Sequence, residues 1–129
     1  MRTKLLSVLV LAGVLLAISA PLFGHHAEVV YDEKTTVTLK GTVTKFMWTN
    51  PHATIHFQVK SEQGPLEDWI AEMGPLSGLT RGGWTKTTIN VGDEIEMVSH
   101  PHKDGIHRVR FMRLVVNGKV LRDNVPGQD

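Results

Sequence analysis

The stretch His52–Lys60, HATIHFQVK, alternates apolar and polar residues almost without interruption. Its apolar members are Ala53, Ile55, Phe57 and Val59, and the residues between them are polar. Side chains on a β-strand point alternately to its two faces, so this pattern predicts a strand with one face in a core and the other in solvent. Similar alternation recurs along the chain and predicts a protein built mainly of strands.

Working outward from this strand, the same criterion predicts six strands and one helix. The predicted strands are Thr36–Trp48, His52–Lys60, Leu66–Met73, Glu94–His100, His107–Val116 and Lys119–Leu121. A short helix is predicted over Leu76–Arg81, because Pro75 suits the start of a helix. Asn117 and Gly118 are the pair most typical of a two-residue hairpin turn. Gly41 is interpreted as a bulge or bend in the first strand.

Three strands, a short helix and two further strands follow in the order of an OB-fold. The predicted fold class is therefore all-β, a small OB-fold-like Greek-key barrel of about five strands with one short helix. An immunoglobulin-like sandwich is the alternative, but about seven strands are expected there. The alternation in strands two, four and five predicts these interior residues: Ala53, Ile55, Phe57, Val59, Ile95, Met97, Val109 and Phe111.

The first 24 residues have the regions of a secretory signal peptide. Arg2 and Lys4 precede the apolar, uncharged run Leu5–Ala20, and a small residue, Gly24, suits the cleavage site. We therefore expect export, to the periplasm or outside the cell, with cleavage before His25. An uncleaved anchor is the alternative, although the run is short for a helix that needs about 20 residues to span a membrane. The predicted organisation is a signal peptide over 1–24, a barrel domain over 25–121 and a disordered tail over 122–129.

The composition after cleavage suits one small domain near neutrality. Removal of residues 1–24 would leave 105 residues, with 12 basic against 13 acidic side chains, a net charge near −1. A nucleic-acid-binding domain needs a clear positive excess, so we expect no nucleic-acid partner. The chain contains no Cys, which excludes disulfides and a lipid-anchored cysteine.

Several motifs together resemble a family of short exported bacterial proteins that is known only as a domain of unknown function. The motifs are His25-His26, Tyr31-Asp32, Gly41–Lys45 (GTVTK), Trp48–Ala53 (WTNPHA), Gly83-Trp84 and Gly92-Asp93. Members of that family typically begin Ala-His-His-Ser after the leader, whereas this chain has Gly24 and Ala27 at the flanking positions. The resemblance spans essentially the whole predicted mature chain. It implies export and fold, and it implies no activity.

The residues themselves suggest a metal site. If the mature chain begins His25-His26, the free α-amine and the ring of His25 form a chelate that suits Cu(II), which favours tetragonal nitrogen ligands. His52 is the best third ligand, because it lies where the second strand begins. The predicted metal residues are thus His25, His26 and His52, with copper as the candidate ion. Two alternatives remain: the histidine pair is only a solvated terminus, and His52 only caps the adjacent turn.

Other histidines and charged residues are interpreted less specifically. His56 shares a strand with His52 but lies about 13 Å further along it, too far to bind the same ion. His100 and His102 could form a second pair. Further groups are possible oxygen ligands near the terminus: Glu28, Tyr31 and Asp32. Basic residues are expected on one solvated face: Lys45, Arg108 and Arg110.

Three function classes follow from these residues. The first is an exported copper carrier or sensor, whose partner is the metal ion. The second is a non-metal module that binds a small ligand or an envelope protein on the barrel face around Trp48, His52 and His56. The third, a copper oxidase, is disfavoured because no set of residues around the metal ligands is evident. No catalytic residues are predicted, and after cleavage no stable membrane insertion is expected.

Overall fold

The computed structural model describes residues 30–123, which form a closed barrel with one short helix. The strands are β1 (Val37–Met47), β2 (Thr54–Lys60), β3 (Leu66–Glu72), β4 (Glu94–Pro101), β5 (Arg108–Val116) and β6 (Lys119–Asp123), and the helix is α1 (Leu76–Arg81). The predicted signal peptide, the histidine pair at 25–26 and residues 124–129 lie outside the described part. The last strand ends at Asp123, two residues beyond the predicted end of the domain.

The barrel closes through the strand order of an OB-fold. Strand β1 pairs antiparallel with both β2 and β4, β2 pairs with β3, and β4 pairs with β5. A short parallel pairing between β3 and β5 completes the closure. The helix lies between β3 and β4, as the sequence predicts, so the OB-like fold is confirmed. Strand β6 extends β5 as a hairpin whose turn residues, Asn117 and Gly118, both have positive φ.

The core lies inside the barrel and follows the alternation read from the sequence. Six of the predicted interior residues are buried: Ala53, Ile55, Phe57, Ile95, Met97 and Val109. The other two, Val59 and Phe111, are partly buried and pack against that core. Trp84 and the helical residue Leu79 belong to the same buried cluster, so α1 and the segment after it add to the core.

Irregular pairing in two strands alters the simple alternation. In β1 the bulge lies between Val43 and Lys45, and Gly41 remains in regular register opposite Val59. The prediction of a bulge at Gly41 was wrong. This glycine instead allows close approach, because a Cβ there would lie 2.3 Å from the carbonyl oxygen of Gln58. A second shift, opposite Val98 and Ser99, changes the face that β5 presents to the core.

Among residues 30–123, no helix combines the length and the apolar character needed to cross a membrane.

Candidate functional site

His52 lies just before β2, and its ring is held by a carboxylate from the neighbouring strand. The Nδ1 atom of His52 is 2.7 Å from Oε1 of Glu72, the last residue of β3. Glu72 pairs in register with Thr54, so antiparallel pairing brings the end of β3 beside the start of β2. The His52 side chain is 34% exposed. The ring of His52 thus contacts a side chain of the neighbouring strand, which lies outside the turn that His52 was expected to cap as the alternative.

The contact between His52 and Glu72 fixes the chemistry of the imidazole. A ring nitrogen this close to a carboxylate carries the proton, so in the neutral ring Nε2 holds the lone pair. Within the described chain, Nε2 of His52 makes no hydrogen bond that would occupy it. The atom is therefore available as a ligand.

Tyr31 holds the other oxygen of Glu72. Its hydroxyl group donates a hydrogen bond of 2.6 Å to Oε2 of Glu72. Tyr31 is buried, and burial raises the pKa of its phenol well above the usual range, with further increases from the hydrogen bond to Glu72 and from its charge. The phenol therefore stays protonated and remains a donor. Tyr31, Glu72 and His52 are thus linked by one hydrogen bond and one ion-pair contact, an arrangement that we call the tyrosine–glutamate–histidine relay.

A cleft of about 330 Å³ opens beside this relay. Its lining consists of Tyr31, His52, Glu72, Met73, Gly74, Arg110 and Arg122. Arg110 is the register partner of Glu72 across the parallel pairing, forms an ion pair with Glu33, and lies 5.8 Å from the centre of the Tyr31 ring. The cleft thus brings together the imidazole of His52, the cationic side chains of Arg110 and Arg122, and the apolar side chain of Met73.

The other histidines of the described chain do not form a metal site with His52. Nδ1 of His100 lies 2.9 Å from the carbonyl oxygen of Thr35, and Nδ1 of His102 accepts the backbone N–H of Asp104. Both rings are therefore held by backbone groups. His107 stacks on Trp69 with 4.4 Å between the ring centres. Within residues 30–123, no three His, Cys, Asp or Glu side chains converge to hold a metal ion.

The sequence identified His52 but missed the partners that orient it. The sequence pattern assigns no role to Glu72, and it suggests Tyr31 only as a possible oxygen ligand. The hairpin register would have placed Glu72 near His52, because Thr54 lies opposite Glu72. The contact from Tyr31 has no such local signal, since 41 positions separate it from Glu72. The predicted ligands His25 and His26 lie outside the described residues.

Comparisons with known proteins give a family but no activity. No curated protein matches the chain. Among the solved structures that resemble it are the mitochondrial single-stranded DNA binding protein Rim1 of S. cerevisiae and the second single-stranded DNA binding protein, SSBb, of Mycobacterium smegmatis. The alignment with Rim1 has 5% identity and a TM-score of 0.49, and it covers 64% of this chain and 93% of Rim1. The alignment with SSBb has 14% identity and a TM-score of 0.40, and it covers 64% of this chain and 88% of SSBb.

These two likenesses are too remote to bear on what this chain binds, and the fold assignment depends on the strand pairing described above. The family comparison is different in kind, because one family model matches residues 12–110. That match spans the larger part of the chain, including the relay. The protein belongs to DUF6152, a family of unknown function.

Proposed function

We propose that this protein is an exported copper-binding protein whose ligands are the α-amine and ring of His25, with His26 beside them, and Nε2 of His52. The observation that carries the proposal is the contact between His52 Nδ1 and Glu72. Histidines that bind metals commonly donate their second ring N–H to a carboxylate, which fixes the tautomer and increases ligand basicity. Glu72 has that position, and Tyr31 in turn holds Glu72.

The length of the chain allows the terminus to reach His52. His25 precedes Tyr31 by six residues, which span at most about 20 Å when extended. The Tyr31 hydroxyl and the His52 ring bind the same carboxylate, so the described chain begins close to the proposed site. A mature terminus at His25 is therefore within reach of Nε2.

The ligand set favours copper over other ions. It consists of nitrogen atoms, and the chain has no cysteine for the thiolate sites that select Cu(I) or zinc. Cu(II) accepts tetragonal nitrogen ligands and binds them more tightly than the other divalent first-row metals. A carrier or sensor function follows from such a site, with the metal ion as its partner.

The direct test is a Cu(II) titration of the chain that begins at His25. We expect His52→Ala to weaken binding about tenfold, equivalent to about 1.4 kcal/mol, because two nitrogens of His25 would remain. His107→Ala is the matched control, since that ring stacks on Trp69 away from the relay. Equal affinities in the His52 variant and the parent chain would rule out His52 as a ligand.

The relay makes a second prediction, which concerns Glu72. Glu72→Gln keeps the shape of the side chain but removes the negative charge beside Nδ1 of His52. We expect Cu(II) affinity to fall by about tenfold, as for other residues that orient metal-bound histidines. The measurement is the same titration, with Glu67→Gln as the control carboxylate near Trp69 and His107. If both variants behave alike, the charge of Glu72 does not support the metal ligand.

The cleft supports a second candidate, a small-molecule-binding module without metal. Arg110 lines the cleft with His52, and a ligand with a carboxylate group would suit the guanidinium donors of Arg110. The copper titration separates the two candidates. A metal-free module would show no Cu(II) binding dependent on His52, and a carboxylate ligand would bind whether or not His25 begins the chain.

A further inference from the structure

A row of residues crosses the outer face of the barrel below the relay. Lys45 of β1 pairs in register with His56 of β2, which pairs with Ile70 of β3, which pairs with Arg108 of β5. Register partners lie on the same face of a sheet. The next residues along these strands, including Ile55 and Val109, are buried, so the row faces outward. We call Lys45, His56 and Arg108 the basic row.

The two cations of this row differ from Lys40 and Arg110, which each contact a carboxylate. Within residues 30–123, neither Lys45 nor Arg108 forms a salt bridge. Other cations on the barrel do form them, as Lys40 does with Glu96. Lys45 and Arg108 therefore keep donors that an anionic ligand could use.

The carboxylates closest to His56 already have partners. Asp68 and Glu72 flank Ile70 on β3, on the same face as the row. Asp68 accepts a hydrogen bond of 3.0 Å from the side-chain amide of Gln58. Glu72 is held between His52 and Tyr31. Within the described residues, neither carboxylate forms an ion pair with Lys45 or Arg108.

His56 responds to this surrounding charge. Partial burial lowers the pKa of its imidazole, and the positive charges of Lys45 and Arg108 lower it further. Thr54 lies beside the ring, with its hydroxyl oxygen 3.3 Å from Nε2. The imidazole is therefore predominantly neutral near pH 7, between two cations that repel its protonated form.

We propose that the basic row binds a phosphate-type oxyanion between Lys45 and Arg108, over His56. The two cations are separated by three inter-strand spacings, about 14 Å between Cα atoms, a span that two long side chains can cover from both ends. Arginine offers a planar fork of donors and lysine a compact charge, and both suit phosphate oxygens. The bound anion would offset the repulsion from Lys45 and Arg108, which adds to the effect of burial on His56, and would make protonation of the ring easier.

The test is an NMR titration of the His56 ring against pH, with inorganic phosphate or with chloride at equal ionic strength. The resonance is assigned with His56→Gln. We expect phosphate to raise the pKa of His56 by about one unit, a tenfold change in proton affinity. The double variant Lys45→Ala/Arg108→Ala should lose this response, whereas Lys40→Ala, a lysine on the same strand, should keep it. Identical curves in phosphate and chloride would overturn the proposal.

A second measurement identifies the source of the phosphate group. The protein is sedimented with vesicles of phosphatidylglycerol or of phosphatidylcholine. Binding only to the anionic vesicles, lost in the double variant, together with the NMR response would identify a lipid headgroup. The NMR response without vesicle binding would identify a free phosphate compound. Tight binding of a single-stranded oligonucleotide with no response of His56 to inorganic phosphate would contradict a discrete phosphate site and favour nucleic acid on this face.

Discussion

Acetylation of the α-amine of His25 is expected to weaken Cu(II) binding by about a hundredfold or more, about 2.8 kcal/mol at 1.4 kcal/mol for each factor of ten. The acetyl group turns the terminal amine into an amide nitrogen, which binds copper only after losing its proton. The chelate between the amine and the ring of His25 is lost, while His52 and its contact with Glu72 are unchanged. The loss should exceed that for His52→Ala, which removes one nitrogen and leaves the chelate intact.

The measurement compares Cu(II) titrations of the acetylated and the free chain, both beginning at His25, with mass spectrometry to establish each terminus. His107→Ala again serves as the control, with no expected change. The same mass measurement on the exported protein gives the natural terminus. A start at Gly24 would put His26 third and create a different amine-and-amide copper site. Equal affinities of the free and the acetylated chain would disprove the role of the terminal amine.

Much of the fold could be predicted from the chain because the outer and inner faces of its strands differ so clearly in polarity. Ala53, just before β2, and Ile55 and Phe57 within it are all buried, as the alternation predicts. A slip of one residue would expose all three, so the register of this strand is strongly determined. The order of strands around a short helix then indicates an OB-like barrel, which the parallel pairing of β3 and β5 confirms.

The positions where strands depart from regular pairing could not be predicted from the same pattern. In β5 the shift opposite Val98 and Ser99 changes the alternation after Phe111. Leu114 and Val116 consequently face the core, although the sequence suggested only Val109 and Phe111 as interior residues. A bulge inserts one residue into one strand, and only the partner strand reveals which residue is extra.

The candidate site shows the same division between local and distant signals. His52 could be selected from the chain because histidine is a residue type that commonly binds metals and this one lies between a turn and a strand. Glu72 acquires its meaning only when β3 is paired with β2. Tyr31 lies before the first strand, and its contact with Glu72 depends on the closed barrel. The basic row is spread over β1, β2 and β5 for the same reason, so sequence inspection suggested only a solvated face.

Phe57→Ala should cause the largest loss of stability among the variants considered, because Phe57 lies at the centre of the core with 1% of its surface exposed. Its ring packs against the backbone of Gly41, where a Cβ would lie 3.0 Å from Phe57 Cδ2. Truncation removes buried apolar surface and leaves a cavity in the core, beside β1 and β2. We expect the free energy of unfolding to fall by about 3–5 kcal/mol.

Urea denaturation followed by tryptophan fluorescence measures this change. Leu66→Ala is the control, since Leu66 is 59% exposed and its loss should alter the free energy of unfolding by no more than about 0.5 kcal/mol. The effect of Phe57→Ala should extend to the site, because Phe57 anchors the strand that His52 precedes. If Phe57→Ala were no more destabilising than Leu66→Ala, the inward face of β2 would be assigned wrongly, and the placement of His52 beside Glu72 would fail with it.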